Sequence, residues 1–403
     1  MEGRTRTVIL GAGYAGLRAA MELDRLLGVR HPGKEITLIN KHNYHQFITR
    51  LHESAARGDT GDEDVRIPLA EILGGRDIRL VKDTVTRLDR NRRQVETEGG
   101  AHGYDYLVVS LGSLPEFFDI PGLKEHALTL RSLNTARMVR THIEGMFARF
   151  KNVVDPWERN GLLTFVIGGA GLTGVEVAGE LADWVPELCR RYDVDPLEVR
   201  IINVEASEDI LPGFAPDLVE YARNLLGEKG VRFVTGTRIA RVKDTEVRLG
   251  SGEVIPTQTV IWAGGIRGNP LMAEAGLTVQ GRGRAVVNEY LQSVDDPRIY
   301  VTGDSAFTVD PESGRPLAPN AQLAIAQGKV AAYNIYADMK GLPKKRFRPQ
   351  SVGVLASLGP GKGIGMIKTV RAKGLTAALA KEMVPVRYLY SLGGIKLLAK
   401  KML

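Results

Sequence analysis

One short device occurs twice in this 403-residue chain. VILGAGYAGL near the N-terminus returns as VIGGAGLTGV from Val166, each an apolar run followed by glycines in the pattern GxGxxG. Few folds tolerate that pattern. Its first glycine permits a tight strand-to-helix turn, its second lets backbone approach a pyrophosphate, and its third lets helix and strand pack closely. The helix N-terminus then offers unpaired N–H groups and a favourable dipole to the phosphates. The first copy predicts a strand over 7–10, then Gly11, Gly13 and Gly16, then a helix over 14–27. The second predicts a strand over 163–167, then Gly169, Gly171 and Gly174, then a helix over 172–192.

Each unit should be closed by a second strand whose last residue meets the ribose. After the first copy, strand 35–40 ends at Asn40 with Lys41 behind it, where an acidic residue is often found. Asparagine can still bond a ribose hydroxyl. After the second copy, strand 199–204 ends at Glu205, whose carboxylate can take both hydroxyls of an unphosphorylated ribose and would repel a 2′-phosphate, which favours NADH over NADPH. Two later stretches, YLVVSLGS at 106–113 and VIWAGGIRGN at 260–269, read as returns from the two nucleotide units, with Gly112 beside the first ligand and Gly264 beside the second. A strand ending in TGD at 302–304 precedes the helix that carries AQLAIAQG.

These features together resemble the two-dinucleotide flavoprotein fold, in which an FAD domain is interrupted by an inserted NADH domain. The resemblance implies that Asp304 reaches the ribityl or pyrophosphate region of FAD. One glycine copy then holds a resident flavin and the other a visiting nicotinamide.

Composition and cysteine count narrow the acceptor. A length of 403 residues implies two or three domains, and 43 % hydrophobic with 25 % charged residues is globular composition. No apolar run approaches the roughly 20 residues of a spanning helix, and the N-terminus shows no signal-peptide pattern. The net charge of +7 is concentrated in the tail, where Arg371, Lys373, Lys381, Arg387, Lys396, Lys400 and Lys401 face Glu382 alone from 371 onward. No zinc spacing, aromatic RNA-binding motif or helix-turn-helix signature points to nucleic acid. Cys189 is the single cysteine, so neither an internal disulfide nor a dithiol relay beside a flavin can exist. A quinone, oxygen or a small iron–sulfur protein remains as direct acceptor.

At this point the chain resembles the type II NADH dehydrogenases, single-subunit NADH:quinone oxidoreductases. GAGYAG, NKHNYHQF at 40–47, GGAGLTGVEVAGELAD, NVEA, AQLAIAQG at 321–328 and RYLYSLGG at 387–394 carry the likeness. It implies an α/β architecture of two Rossmann-like dinucleotide-binding domains: an FAD domain over 1–115 and 290–345, an NADH domain over 116–289, and a C-terminal amphipathic membrane-binding segment over 346–403. It places Ala321 and Gln322 against the flavin, Gln322 bordering the quinone, and Asn320 where threonine is common. It puts Glu176 near nicotinamide and flavin, and Lys381 at the flavin site. Glu180 is expected to pair or pack. His42, His45 and His52 have no metal spacing and are expected to be structural, two of them beside the adenosine end of FAD.

The tail alternates apolar and basic residues, with Pro385 and Gly393–Gly394 interrupting it, which fits a pair of short helices lying on an anionic lipid surface. The expected location is therefore peripheral, on the cytoplasmic side of the cell membrane, with the oligomeric state open and a homodimer among the alternatives. Two other readings stay open on the residues alone. One is a soluble NADH-dependent reductase of ferredoxin or oxygen. The other is an NADH-binding flavoprotein of the apoptosis-inducing type.

Overall fold

The computed structural model describes residues 5–28, 33–57, 65–350 and 353–402. The outermost ends of the expected 1–115 and 346–403 spans lie outside the described residues. The chain forms two compact units, one of Met1–Gln46, Arg66–Leu114 and Ile266–Ser351, the other of Phe47–Val65, Pro115–Gly265 and Val352–Leu403.

The first unit is built on a five-stranded parallel sheet in the order Ile299–Val301, Tyr106–Val109, Thr5–Leu10, Lys34–Asn40, Arg79–Lys82. The central strand is apolar on both faces, with Val8, Ile9 and Leu10 buried, as a parallel strand covered on both sides must be. A three-stranded antiparallel meander, Val85–Asp89, Gln94–Thr97 and Gly100–Gly103, follows. Leu88 and Val95 of the meander share a core with Val8, Leu10, Leu107 and Val109 of the sheet. The opposite side carries helix Tyr14–Leu27, packed on helix Ala321–Lys340.

The second unit repeats this plan. Its parallel sheet runs Ala127–Thr129, Thr259–Trp262, Thr164–Gly168, Arg200–Val204, Val231–Val234. Its meander is Ile239–Val242, Glu246–Leu249 and Val254–Pro256, whose Val242, Val247 and Ile255 pack with Val166, Ile202 and Val260 of the sheet. Helix Leu172–Tyr192 leaves the glycine loop and runs through Pro186. Both expected glycine helices have the predicted bounds, and the strands differ only at their ends.

The compact units divide the chain elsewhere than the expected spans do. Residues 266–289, expected in the inserted domain, belong to the first unit, because Met272, Leu277 and Ala285 are buried in its core. Residues 47–65, expected in the first domain, belong to the second, where the wholly buried helix Leu51–Ala56 packs on helices Leu133–Phe150 and Leu172–Tyr192. The expected 346–403 tail is only partly helical. Gly353–Ser357, Gly363–Ile367 and Val370–Lys373 form an antiparallel sheet, on which helix Leu375–Met402 packs. A Cβ at Gly179 would strike the backbone of Leu358 and Gly359, so this helix position must be glycine for the sheet's turn to approach. Pro385 does not interrupt the tail helix. The break falls at Gly393 and Gly394, where the dihedrals leave the helical region.

Candidate functional site

In the first unit, Gly11 has φ +90°, and a Cβ there would strike the Ser110 carbonyl oxygen. A Cβ at Gly16 would run into the carbonyl oxygen of Gly11. These two glycines close the turn on itself. Gly13 differs, since a Cβ there would meet nothing within 4 Å. It stands at the N-cap of helix Tyr14–Leu27 with no side-chain cap and no acidic residue in the first turn. The helix therefore presents bare N–H groups to open space, the arrangement a pyrophosphate requires. The residues fit the dinucleotide expected of them.

The loop is held by side chains. Asn40 Oδ1 accepts the Ala12 N–H at 2.8 Å, and Asn40 Nδ2 donates to the His42 carbonyl at 2.7 Å. His45 Nδ1 meets the Ala12 carbonyl at 2.8 Å, and burial pushes its pKa down to about 4. A neutral imidazole must then donate from Nδ1. Asn40, expected to bond ribose, is thus engaged in fixing the turn. Lys41 beside it is exposed.

The return strand and the late TGD turn are stitched together. Ser110 and Thr302 hydroxyls lie 2.6 Å apart, Ser305 Oγ donates to the Gly112 carbonyl at 3.0 Å, and Ser113 Oγ donates to Asp304 Oδ2 at 2.8 Å. Gln327, a buried residue to which the sequence reading assigned no role, accepts the Gly303 N–H on Oε1 at 2.7 Å. It lies in AQLAIAQG, whose glycine also has a steric reason: a Cβ at Gly328 would strike the Ala15 carbonyl. That close approach seats helix Ala321–Lys340 against the first glycine helix. Asn320 caps it, its Oδ1 accepting the Leu323 N–H at 2.9 Å. Ala321 and the exposed Gln322 form its first turn.

The second unit matches in detail. Gly169 has φ +98°, and its Cβ would stand 2.7 Å from Gly264 Cα. A Cβ at Gly174 would strike the Gly169 carbonyl, while one at Gly171 would meet nothing within 4 Å. Helix Leu172–Tyr192 also starts without a side-chain cap or an acidic first turn. Glu205 takes the place of Asn40: Oε2 accepts the Ala170 N–H at 2.6 Å and Oε1 the Ser207 N–H at 2.9 Å. Its charge is thereby fixed beside the glycine loop. Asn203, quoted in NVEA but given no role there, donates from Nδ2 to the Ile167 and Gly169 carbonyls.

Glu176 and Lys381, assigned separately from the sequence, form an ion pair in this unit. Glu176 also accepts the Ser357 N–H at 3.2 Å, and His52 Nδ1 stands 3.5 Å from its other oxygen. Burial pushes this carboxyl up, but Lys381, His52 and Ser357 outweigh it and hold it below the ordinary range. Glu180 pairs with Arg57 through two bonds of 2.9 and 3.0 Å, as a structural residue should, and burial raises its carboxyl. Glu53 is held by Arg50. Gln322, Ala321 and Asp304 belong to the first unit, Glu176, Lys381 and Glu205 to the second.

Comparison with known proteins agrees with this geometry. The family pattern of pyridine nucleotide-disulphide oxidoreductases matches residues 5–328. A type II NADH:quinone oxidoreductase from Staphylococcus saprophyticus is 38 % identical over 403 residues, 99 % of each chain. The protein of that name from Staphylococcus epidermidis is 37 % identical over 404 residues, again 99 % of each. The chain belongs to the type II NADH:quinone oxidoreductase family. The fold agrees: NDH2 from Plasmodium falciparum, solved in complex with NADH, superposes with a TM-score of 0.85 over 99 % of this chain and 97 % of its own, at 17 % identity. Despite the name of that wider pattern, the chain, with a single cysteine, carries no disulphide pair. Cys189 is 3 % exposed within helix Leu172–Tyr192, and burial raises its thiol pKa, away from the reactive thiolate.

Proposed function

We propose that this chain is a non-proton-pumping NADH:quinone oxidoreductase, with FAD resident, NADH as donor and a membrane quinone as acceptor. The observation that carries the reading is the doubled glycine loop, each copy opening an uncapped helix, in a chain whose one cysteine is buried and unpaired. FAD, when bound, takes a hydride from NADH and returns two electrons to an acceptor without a thiol relay. The names of the staphylococcal relatives and the NADH complex of the Plasmodium falciparum protein support this reading.

The chain's own residues have separable tasks. In the first unit Gly11, Gly13 and Gly16 seat the FAD pyrophosphate, with Asn40 holding the loop that carries them and Lys41 toward the ribose. Gly112, Asp304 and the turn at Ala321 bound the rest of the cofactor. In the second, Gly169, Gly171, Gly174 and Gly264 seat NADH, and Glu205 discriminates against a 2′-phosphate. Gln322 bonds the quinone, because its amide both donates and accepts and so suits an oxygen that changes from carbonyl to hydroxyl. Glu176 and Lys381, paired with each other, act toward the nicotinamide in the second unit, and the protons of the quinol come from solvent.

Among the described residues no helix is long and apolar enough to cross a membrane. Leu375, Leu379 and Met383 recur every fourth residue along the tail helix and are 57–62 % exposed. With the tail lysines, this stripe fits an interfacial helix on the anionic cytoplasmic leaflet. The deciding experiment is steady-state turnover of the purified yellow protein with NADH and a soluble quinone analogue. Gln322→Ala should lower quinone reduction while anaerobic bleaching of the flavin by NADH persists. A colourless protein, or equal loss of both half-reactions, overturns the assignment.

A further inference from the structure

The two oxygens of Glu176 have different surroundings. Oε1 takes Lys381 Nζ and the Ser357 N–H, whereas Oε2 faces His52, whose Nδ1 is 3.5 Å away. His52 lies on helix Leu51–Ala56, all of whose residues are buried, and is itself 3 % exposed. Its other nitrogen, Nε2, is buried without a hydrogen-bond partner, 3.9 Å from Glu53 Oε1. An unsatisfied nitrogen in a core is costly, and an aliphatic side chain would avoid that cost.

The charges around the ring fix its state. Arg50, Arg57 and Lys381 face Glu53, Glu176 and Glu180, so the cluster is balanced when the imidazole is neutral. These groups come from the turn and helix at 48–57, from helix Leu172–Tyr192 and from the tail helix, with Ser357 from the adjoining strand. Burial lowers the His52 pKa to about 4. A neutral ring carries one N–H. Placed on Nδ1, it gives Oε2 a donor and leaves Nε2 as a bare acceptor, which is the orphaned atom observed.

We propose that His52 is a positioning residue for the NADH:quinone reaction, its Nδ1–H holding Oε2 of Glu176 so that Oε1 stays on Lys381 and the Ser357 N–H. The inference rests on the reading of Glu176 and Lys381 as site residues. Without the ring, the carboxyl group can rotate or take a proton on Oε2, and the Lys381 ammonium loses its fixed seat.

The test uses the full-length holoenzyme and the variants His52→Leu, His52→Asn and Glu176→Gln. The carboxyl band of Glu176, identified by its loss in Glu176→Gln, is titrated by infrared difference spectroscopy, and turnover is measured at pH 5.5 and 7.5. His52→Leu should move the band's midpoint upward by about one pH unit and lower the pH 5.5 to 7.5 turnover ratio several-fold. His52→Asn, which places an N–H near the Nδ1 position, should restore both. A His52→Leu enzyme with the parent's midpoint overturns the proposal, as does a His52→Asn enzyme whose midpoint moves upward by the full unit. Should His52→Leu fail to fold, His52→Ala, which likewise lacks the N–H, takes its place in the comparison with His52→Asn and the parent. If Glu176→Gln keeps the parent's turnover at both pH values, the reading of Glu176 fails instead.

Discussion

Glycines that share one motif have opposite physical duties here. Gly174→Ala puts a methyl into the Gly169 carbonyl, and no rotation relieves it. We expect a loss of several kcal/mol, on the order of a large core clash, seen as a collapsed melting transition. Gly171→Ala adds its methyl to open space. The fold should lose only about 1 kcal/mol, while the KM for NADH rises roughly tenfold with flavin content unchanged. Equal melting temperatures for the two variants would contradict this division of labour. Glu205→Ser removes a charge that two backbone N–H groups hold in place. Its kcat/KM ratio for NADPH over NADH should rise on the order of tenfold or more, as loss of like-charge repulsion implies. The glycine positions were legible in the sequence because backbone geometry dictates them. The use made of Asn40 was not, since one amide serves a ribose hydroxyl or the Ala12 N–H equally well, and only the fold decides. Gln327 and Asn203 were overlooked for the same reason, being side chains whose partners are backbone atoms distant in sequence.

Helices carried their own bounds. A glycine loop before and a basic or glycine end after fixed Tyr14–Leu27 and Leu172–Tyr192 to the residue. The sheet at 353–373 was not legible because its strands are only four or five residues long and two of them carry glycine, so neither strand alternation nor helical periodicity stands out. The packing of the two helices joined by Gly328 gives a prediction at this scale. Gly328→Leu must separate helix Ala321–Lys340 from Tyr14–Leu27, because its first new atom already meets the Ala15 carbonyl. The expected result is loss of bound flavin together with stability, in contrast to Asn320. There, Asn320→Thr keeps an oxygen for the Leu323 N–H and should be neutral within about 0.5 kcal/mol, and Asn320→Ala should cost about 1 kcal/mol by denaturant midpoint. The threonine that the family resemblance implies for this position is therefore expected to cap as the asparagine does.

At the scale of the whole molecule, the doubling visible in the sequence is a doubling of architecture, with sheet, meander and glycine helix repeated. The unit boundaries were less legible, because 266–289 joins its unit through buried apolar contacts, and helix Leu51–Ala56 joins its own through packing on two helices and the His52–Glu176 and Arg57–Glu180 contacts, rather than through any motif. Among the described residues each unit also buries a neutral histidine, His45 in the first and His52 in the second, both with pKa values pushed down by burial to about 4. In the unfolded chain a histidine titrates near 6.5, so between those values the unfolded state binds more protons than the folded one. Stability is therefore full above about pH 6.5 and is lost as the pH falls toward about 4, by roughly 3 kcal/mol for each histidine. Carboxylates such as Glu176, held below their ordinary range, begin to lose their contribution only near the acid end of that window, as the pH falls past the ordinary glutamate value. Against a total of roughly 5–15 kcal/mol, a loss of that size is a large fraction, so the parent is expected to lose stability toward acid pH. Denaturant midpoints measured from pH 7.5 to 4.5 should fall steeply in the parent. His45→Gln should start lower at pH 7.5, since the Ala12 carbonyl loses its ring donor, yet fall with a shallower slope than the parent because its histidine no longer titrates. An unchanged slope in that variant would mean that the acid sensitivity resides elsewhere than in these two buried rings.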